Sequence, residues 1–189
     1  MIRTITILLV VILPVLDSYA QKPKEKASAQ IHMLKDGALL IKLKTSENVI
    51  NGLIKDGKPE EAEKVREEQL IRNKEIAQAF TETISFCKVY FFYSSNSAAV
   101  KSGDLGSIMN GSLEADSTFN TVNYLIGEFG ESPHNNIEGF IIEDRNLEQL
   151  QPPFPSFIRS NKAGLKTRSY KEIAEILDTE LNEFYNKSK

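Results

Sequence analysis

Five consecutive residues, Val89-Tyr90-Phe91-Phe92-Tyr93, carry an apolar or aromatic side chain toward both sides of an extended chain. A strand with no polar face cannot lie on a one-sided sheet, because one row of large side chains would stay in water. The run therefore predicts a strand in the middle of a sheet, with a packed layer above it and another below. Everything else in the chain has to supply those layers.

Around this strand the predicted elements fall into order. Ala38 to Lys44 alternates Leu39, Ile41 and Leu43 with Leu40, Lys42 and Lys44, which reads as a first strand with one apolar face and a second that turns polar toward its end. Thr45 or Ser46 is placed to cap a short helix carrying Val49, Ile50, Leu53 and Ile54, and Asp56-Gly57 marks its stop. Pro59 fits the first turn of the next helix, where a missing N–H costs nothing, and that helix is predicted to run to Ile84. Its stripe of Ala62, Val65, Ile76, Ala77, Phe80 and Ile84 is interrupted by Gln69 and Arg72, so the first half is expected to project from the core. The turn Gly57-Lys58-Pro59-Glu60-Glu61-Ala62 resembles the second-helix start of tetratricopeptide repeats, but no second copy recurs at 34 residues. Residues 46–84 thus read as one helical hairpin.

Ser94 to Ser97 offers caps before Ala98-Ala99-Val100. Further strands are predicted over Thr121–Phe129 and Gly139–Glu143, with Asp144-Arg145-Asn146 turning the latter back into Leu147–Leu150. Three prolines keep Gln151 to Arg159 extended. Ser169 and Glu172 have the spacing of a capping box, followed by Ile173, Ile176, Leu177, Leu181 and Phe184 on one helical face. The expected fold is α/β (α+β): a single mixed sheet of about four to five strands, with an N-terminal helical hairpin and a C-terminal amphipathic helix packed on it.

The chain's start reads as an address. Arg3 precedes the ten apolar or proline residues Ile7 to Leu16, and Ser18-Tyr19-Ala20 has the small residues that signal peptidase cuts behind, so residues 1–20 are expected to be a cleaved signal peptide. Residues 21–36, which open with Lys, Ala, Ser and Gln, are expected to be a flexible leader, and His32 within them to be solvated. Residues 37–189 then form one domain. The mature chain keeps 169 of the 189 residues, enough to bury roughly 70% of its unfolded surface in one core. It should be secreted or periplasmic, with no integral membrane anchor.

Charge and cysteine content narrow the function. A formal charge of −3 argues against a nucleic-acid partner. Cys87 is the single cysteine, which excludes an intramolecular disulfide, a C-x-x-C redox pair and a multi-cysteine zinc site. Its aromatic neighbours predict a buried, inert thiol. Ser94, Ser95 and Ser97 follow a strand where α/β folds often place nucleophiles, but without a G-x-S-x-G elbow they read as caps. No cofactor motif is present and no cofactor is expected.

Two candidate sites remain. Phe154 and Phe157, spaced by prolines in Gln151-Pro152-Pro153-Phe154-Pro155-Ser156-Phe157, are expected to display rings to a protein, peptide or glycan partner. Glu128, Glu131, Glu138, Glu143 and Asp144 gather at predicted strand ends with His134 between them, the residue types of a metal or general-base site. Asp144, Asn146 and Glu148 imitate a calcium loop, but Gln149 and Pro155 stand where Gly and Glu belong, so no metal is assigned. The first reading is a non-enzymatic binding or accessory domain; the alternative is a small hydrolase or metal-dependent enzyme using His134 and nearby carboxylates.

The element order resembles a thioredoxin fold, and Phe140 to Asn146 looks like that fold's antiparallel hairpin strand. Ser94-Ser95-Asn96-Ser97 stands where the family's C-x-x-C would be, so thiol redox activity is not implied. Phe86 to Ser94 and Asp144 to Arg159 also resemble an uncharacterised family of secreted bacterial proteins, which implies a periplasmic or extracellular setting and no particular chemistry.

Overall fold

The computed structural model describes residues 23–133, 136–162 and 166–189. The proposed signal peptide, residues 1–20, lies outside them. A single mixed sheet of five strands is built from β1 (Ala38–Leu43), β2 (Lys88–Tyr93), β3 (Tyr124–Glu131), β4 (Glu138–Glu143) and β5 (Phe157–Arg159) in the order β2-β1-β3-β4-β5. Strands β2 and β3 flank β1 in parallel, and β4 and β5 add on antiparallel. The architecture is the expected α+β one.

Residues 23–36 form a helix, α1. Its Ala27, Ile31 and Leu34 are buried in the main core, which corrects the expectation of a flexible leader at 21–36. These three sit at i, i+4 and i+7, one helical stripe, and the stripe's two large residues lie just past the Lys/Ala/Ser/Gln-rich stretch. His32 is half-buried, its ring edge-on to Tyr185 at 4.8 Å, and so is not simply solvated.

The helical hairpin forms as expected from α2 (Glu47–Lys55) and α3 (Pro59–Thr83). Gly57, at φ 72°, supplies the left-handed turn between them. Ser46 precedes α2 but makes no side-chain cap; its Oγ donates instead to Gln69 Oε1 at 2.8 Å. Gln69 Nε2 donates to Asn73 Oδ1 (3.0 Å), and Asn73 Nδ2 donates to the Lys44 carbonyl (2.9 Å). Gln69, one of the two polar interruptions of the α3 stripe, is thus buried together with Asn73 and clamps the end of β1, while the other, Arg72, is exposed. Before Gln69, only Ala62 of α3 is buried, so the first half does project.

Period-two alternation divides the core between the two faces. Leu39, Ile41, Leu43, Phe91, Leu125, Phe140 and Ile142 point to a first face covered by α1, α3 and α5 (Tyr170–Lys187). Ala38, Leu40, Phe92, Tyr124 and Ile126 point to a second face, covered by Val100 of α4 (Ser97–Ser102) and by Ile108 in the connection that follows. The capping box at Ser169–Glu172 is present, with Glu172 N–H donating to Ser169 Oγ and Ser169 N–H to Glu172 Oε2.

Three further expectations are corrected. Strand β2 lies at the sheet's edge, and β1 occupies the middle. Phe91 exchanges two backbone hydrogen bonds with Met109 (2.9 and 2.8 Å), so one bridging residue covers that edge. The turn at Asp144-Arg145-Asn146 does bring Leu147–Leu150 back along β4, but as a single Gln149–Glu143 bridge rather than a strand, and the antiparallel strands beside β4 are β3 and β5. Finally, 151–154 closes a turn, with Phe154 N–H donating to the Gln151 carbonyl at 3.2 Å, rather than staying extended.

Candidate functional site

At the C-terminal ends of the parallel strands β1 and β3 the first face opens into a cavity of about 700 Å³ between α3 and the start of α5. Open α/β sheets bind ligands at this end, where strands stop and helices begin. The floor is aromatic. Tyr170 meets Phe129 edge-on at 5.0 Å, and Phe129 meets Phe140 at 5.1 Å, so the exposed part of the floor is backed by core rings.

Polar groups surround that floor. Gln69 and Asn73 present amides already oriented by the chain of hydrogen bonds from Ser46 to Lys44. Arg72 and Glu75 flank Tyr170: burial pushes its phenol above the ordinary value, Arg72 draws it down and Glu75 adds to the rise. Arg168 is pinned at the rim, its Nη1 donating to the carbonyls of Arg159 (2.9 Å) and Asn161 (2.8 Å). Lys44 and Lys171 add cationic groups, and Glu82 and Glu138 add carboxylates. The lining can therefore engage both signs of charge.

A second polar group lies on the other face. The register sets Ile126 opposite Glu143 and Glu128 opposite Ile141, so Glu128 and Glu143 are diagonal neighbours on one side of the β3–β4 pair. Lys42, opposite Glu128 across β1–β3, forms an ion pair with it. Glu143 is 7% exposed and its Oε2 has no hydrogen-bond partner. Burial pushes its carboxyl up to about 7, with Glu128 adding to the rise and Lys42 opposing it.

The rest of the expected acidic cluster disperses. Glu131 and Glu138 face each other, exposed, at the far end of the hairpin. Asp144 accepts the N–H groups of Asn146 (2.8 Å) and Glu148 (3.2 Å), an Asx turn that accounts for its carboxylate without a cation. His134 lies outside the described residues. Among the described residues no group of three or more His, Cys, Asp or Glu is placed to hold a metal ion.

Phe154 and Phe157 part company. Phe154 is 3% exposed and packs edge-on against Phe184 of α5 at 5.9 Å, so the expectation that it displays its ring is corrected: the turn at 151–154 swings it into the core. Phe157 is half-buried on β5, opposite Ile141 on the second face. Ser94 Oγ accepts from Thr45 N–H (3.2 Å) and tethers the chain after β1, a structural role. Cys87 is half-buried, and burial pushes its thiol up to about 12. Arg72, Asn73, Arg168 and Tyr170 were not legible as site residues; the one signal was the Gln69/Asn73 pair, four residues apart within an apolar stripe. No protein-family model, curated protein or solved structure matches this chain.

Proposed function

We propose that this chain is a non-enzymatic binding or accessory domain, secreted or periplasmic after removal of residues 1–20, and that its ligand occupies the cavity between α3 and α5. The observation that carries the reading is the cavity itself. About 700 Å³ lies within the range of small-molecule sites, and an aromatic floor ringed by oriented amides and by both signs of charge suits a polar ligand such as a short peptide or glycan. Among the described residues no helix is long and apolar enough to cross a membrane.

Thermal shift of the purified protein against a panel of di- to tetrasaccharides and tripeptides tests it. A ligand at 100 times its dissociation constant stabilises by about 2.7 kcal/mol, a readily measured rise in Tm. Arg72→Ala and Tyr170→Ala should abolish that rise. A rise that survives both substitutions would move the site elsewhere, and N-terminal sequencing that finds Met1 retained would overturn the export.

The alternative, a small hydrolase using carboxylates, is favoured by one observation: Glu128 and Glu143 converge beside Lys42. The large cavity is bordered by Lys42 but by neither carboxyl, so the pair lacks its share of that space. Loss of turnover of chromogenic esters or glycosides in Glu143→Gln would support this alternative over binding.

A further inference from the structure

We propose that Glu128 and Glu143 hold one proton between them and act as a pH-sensitive latch joining β1, β3 and β4 on the second face of the sheet. Two carboxyl groups share a single ammonium there. Lys42 pairs with Glu128, and the side chains of that pair are 15% and 21% exposed. Glu143 beside them is buried, with Oε2 lacking any donor. If both carboxyls ionise, one negative charge is left in a poorly solvated position without a hydrogen bond. If Glu143 keeps its proton, its O–H donates to the Glu128 carboxylate, the trio is neutral, and the orphaned oxygen gains a charge-assisted partner.

Of the surrounding charges, Asp144 adds a smaller push that also raises Glu143. The Asp144 carboxylate is occupied by the backbone of its own turn, and Arg145 places its guanidinium 4.7 Å from the Tyr124 ring centre. Across a neighbouring cavity of about 650 Å³, Glu148 from the turn and Lys26 from α1 border the same space as Glu143 and Asp144. Burial is the largest push on the Glu143 proton, and of the charged groups Glu128 on β3 strengthens it most while Lys42 on β1 opposes it.

The sign follows. An unfolded Glu titrates at 4.5, and in the folded protein Glu143 is pushed up to about 7. Between these values the folded state binds more protons than the unfolded one, so this contribution to stability is complete below the lower value and is lost as pH rises through the upper one.

The test is a carbon-13 carboxyl NMR titration of the purified protein from about pH 4 to 9, with Tm measured over the same range for wild type, Glu143→Gln and Glu128→Gln. Glu143 should titrate near neutrality. Glu143→Gln, which copies the protonated acid, should flatten the decline in Tm between about pH 5 and 8. In Glu128→Gln, Lys42 becomes the partner of Glu143, whose titration should fall toward the ordinary range. A Glu143 that titrates near 4.5 overturns the proposal, and one that stays near neutrality in Glu128→Gln shows burial without sharing and overturns it equally. Should Glu143→Gln fail to fold, the wild-type titration still decides. None of these readouts needs a ligand, so the latch and the binding cavity can fail separately.

Discussion

The two faces of the sheet are covered by different means. Three helices lie on the first face and bury one continuous core that extends from Ile31 through Phe80 and Phe140 to Leu181. The second face is covered by one short helix and an irregular connection, which reach only the β2-β1-β3 side and the early residues of β3. Beyond their reach the same face carries Lys42, Glu128 and Glu143, whereas the first face stays apolar until the cavity at the strand ends. Polar chemistry thus collects where each cover runs out. On the first face that place is a cavity between helices, and on the second it is a charged trio on the sheet, partly exposed at Lys42 and Glu128 and buried at Glu143.

The largest expected effect tests whether α1 belongs to the first cover. Ile31→Ala and Leu34→Ala should each cost about 2–5 kcal/mol, and together they approach a domain's whole stability of about 5–15 kcal/mol. Urea denaturation measures it; losses below about 1 kcal/mol would return residues 23–36 to the status of a tether.

Next comes the contrast between two phenylalanines. Phe154→Ala, on the helix-covered side, should cost about 3–5 kcal/mol, while Phe157→Ala, half-buried on the open part of the second face, should cost roughly 1 kcal/mol. Equal losses would mean that the second face is covered as thoroughly as the first.

Asn73→Ala should cost about 1–3 kcal/mol, because the Lys44 carbonyl and the Gln69 amide would both lose a partner at the wall of the cavity. Cys87 sits against the first core, and with its thiol raised to about 12 it should react slowly with a thiol reagent until the protein is denatured. The smallest effect belongs to the exposed half of α3: Lys64→Ala, which breaks a 3.9 Å surface pair with Glu68, should change stability by no more than about 0.5 kcal/mol.

Much of the frame was legible because its signals are local. The capping box at Ser169, the turn at Gly57 and Pro59, the alternation in β1 and the short apolar run of β4 each depend on a few adjacent residues. What failed depended on partners distant in sequence. The apolar run of β2 reports a strand covered on both sides, which is correct, but says nothing of its position in the sheet; Met109, far along the chain, guards its edge. β1 looked half-polar through Lys42 and Lys44, yet five of its six residues, all but Lys42, are fully buried. Lys42 is accommodated by Glu128 on a strand more than eighty residues away.

The candidate site was less legible than the fold. The acidic residues of β3 and β4 do converge in part, since adjacent antiparallel strands bring Glu128 and Glu143 to one face. Which carboxyls meet depends on register, and register is set by pairing across the whole hairpin. Phe154 read as displayed because prolines imply an extended segment, and one backbone hydrogen bond across 151–154 turns it inward. The cavity draws on α3, α5 and three strand ends, so no contiguous stretch announces it.

The most direct measurement is chemical-shift mapping of the backbone amides while the tightest binder of the saccharide and tripeptide panel is titrated in. Perturbed amides should cluster at Arg72, Asn73, Gly130 and Tyr170, around the cavity on the helix-covered face. A cluster around Glu128, Ile141 and Phe157 instead would place recognition on the second face and contradict it.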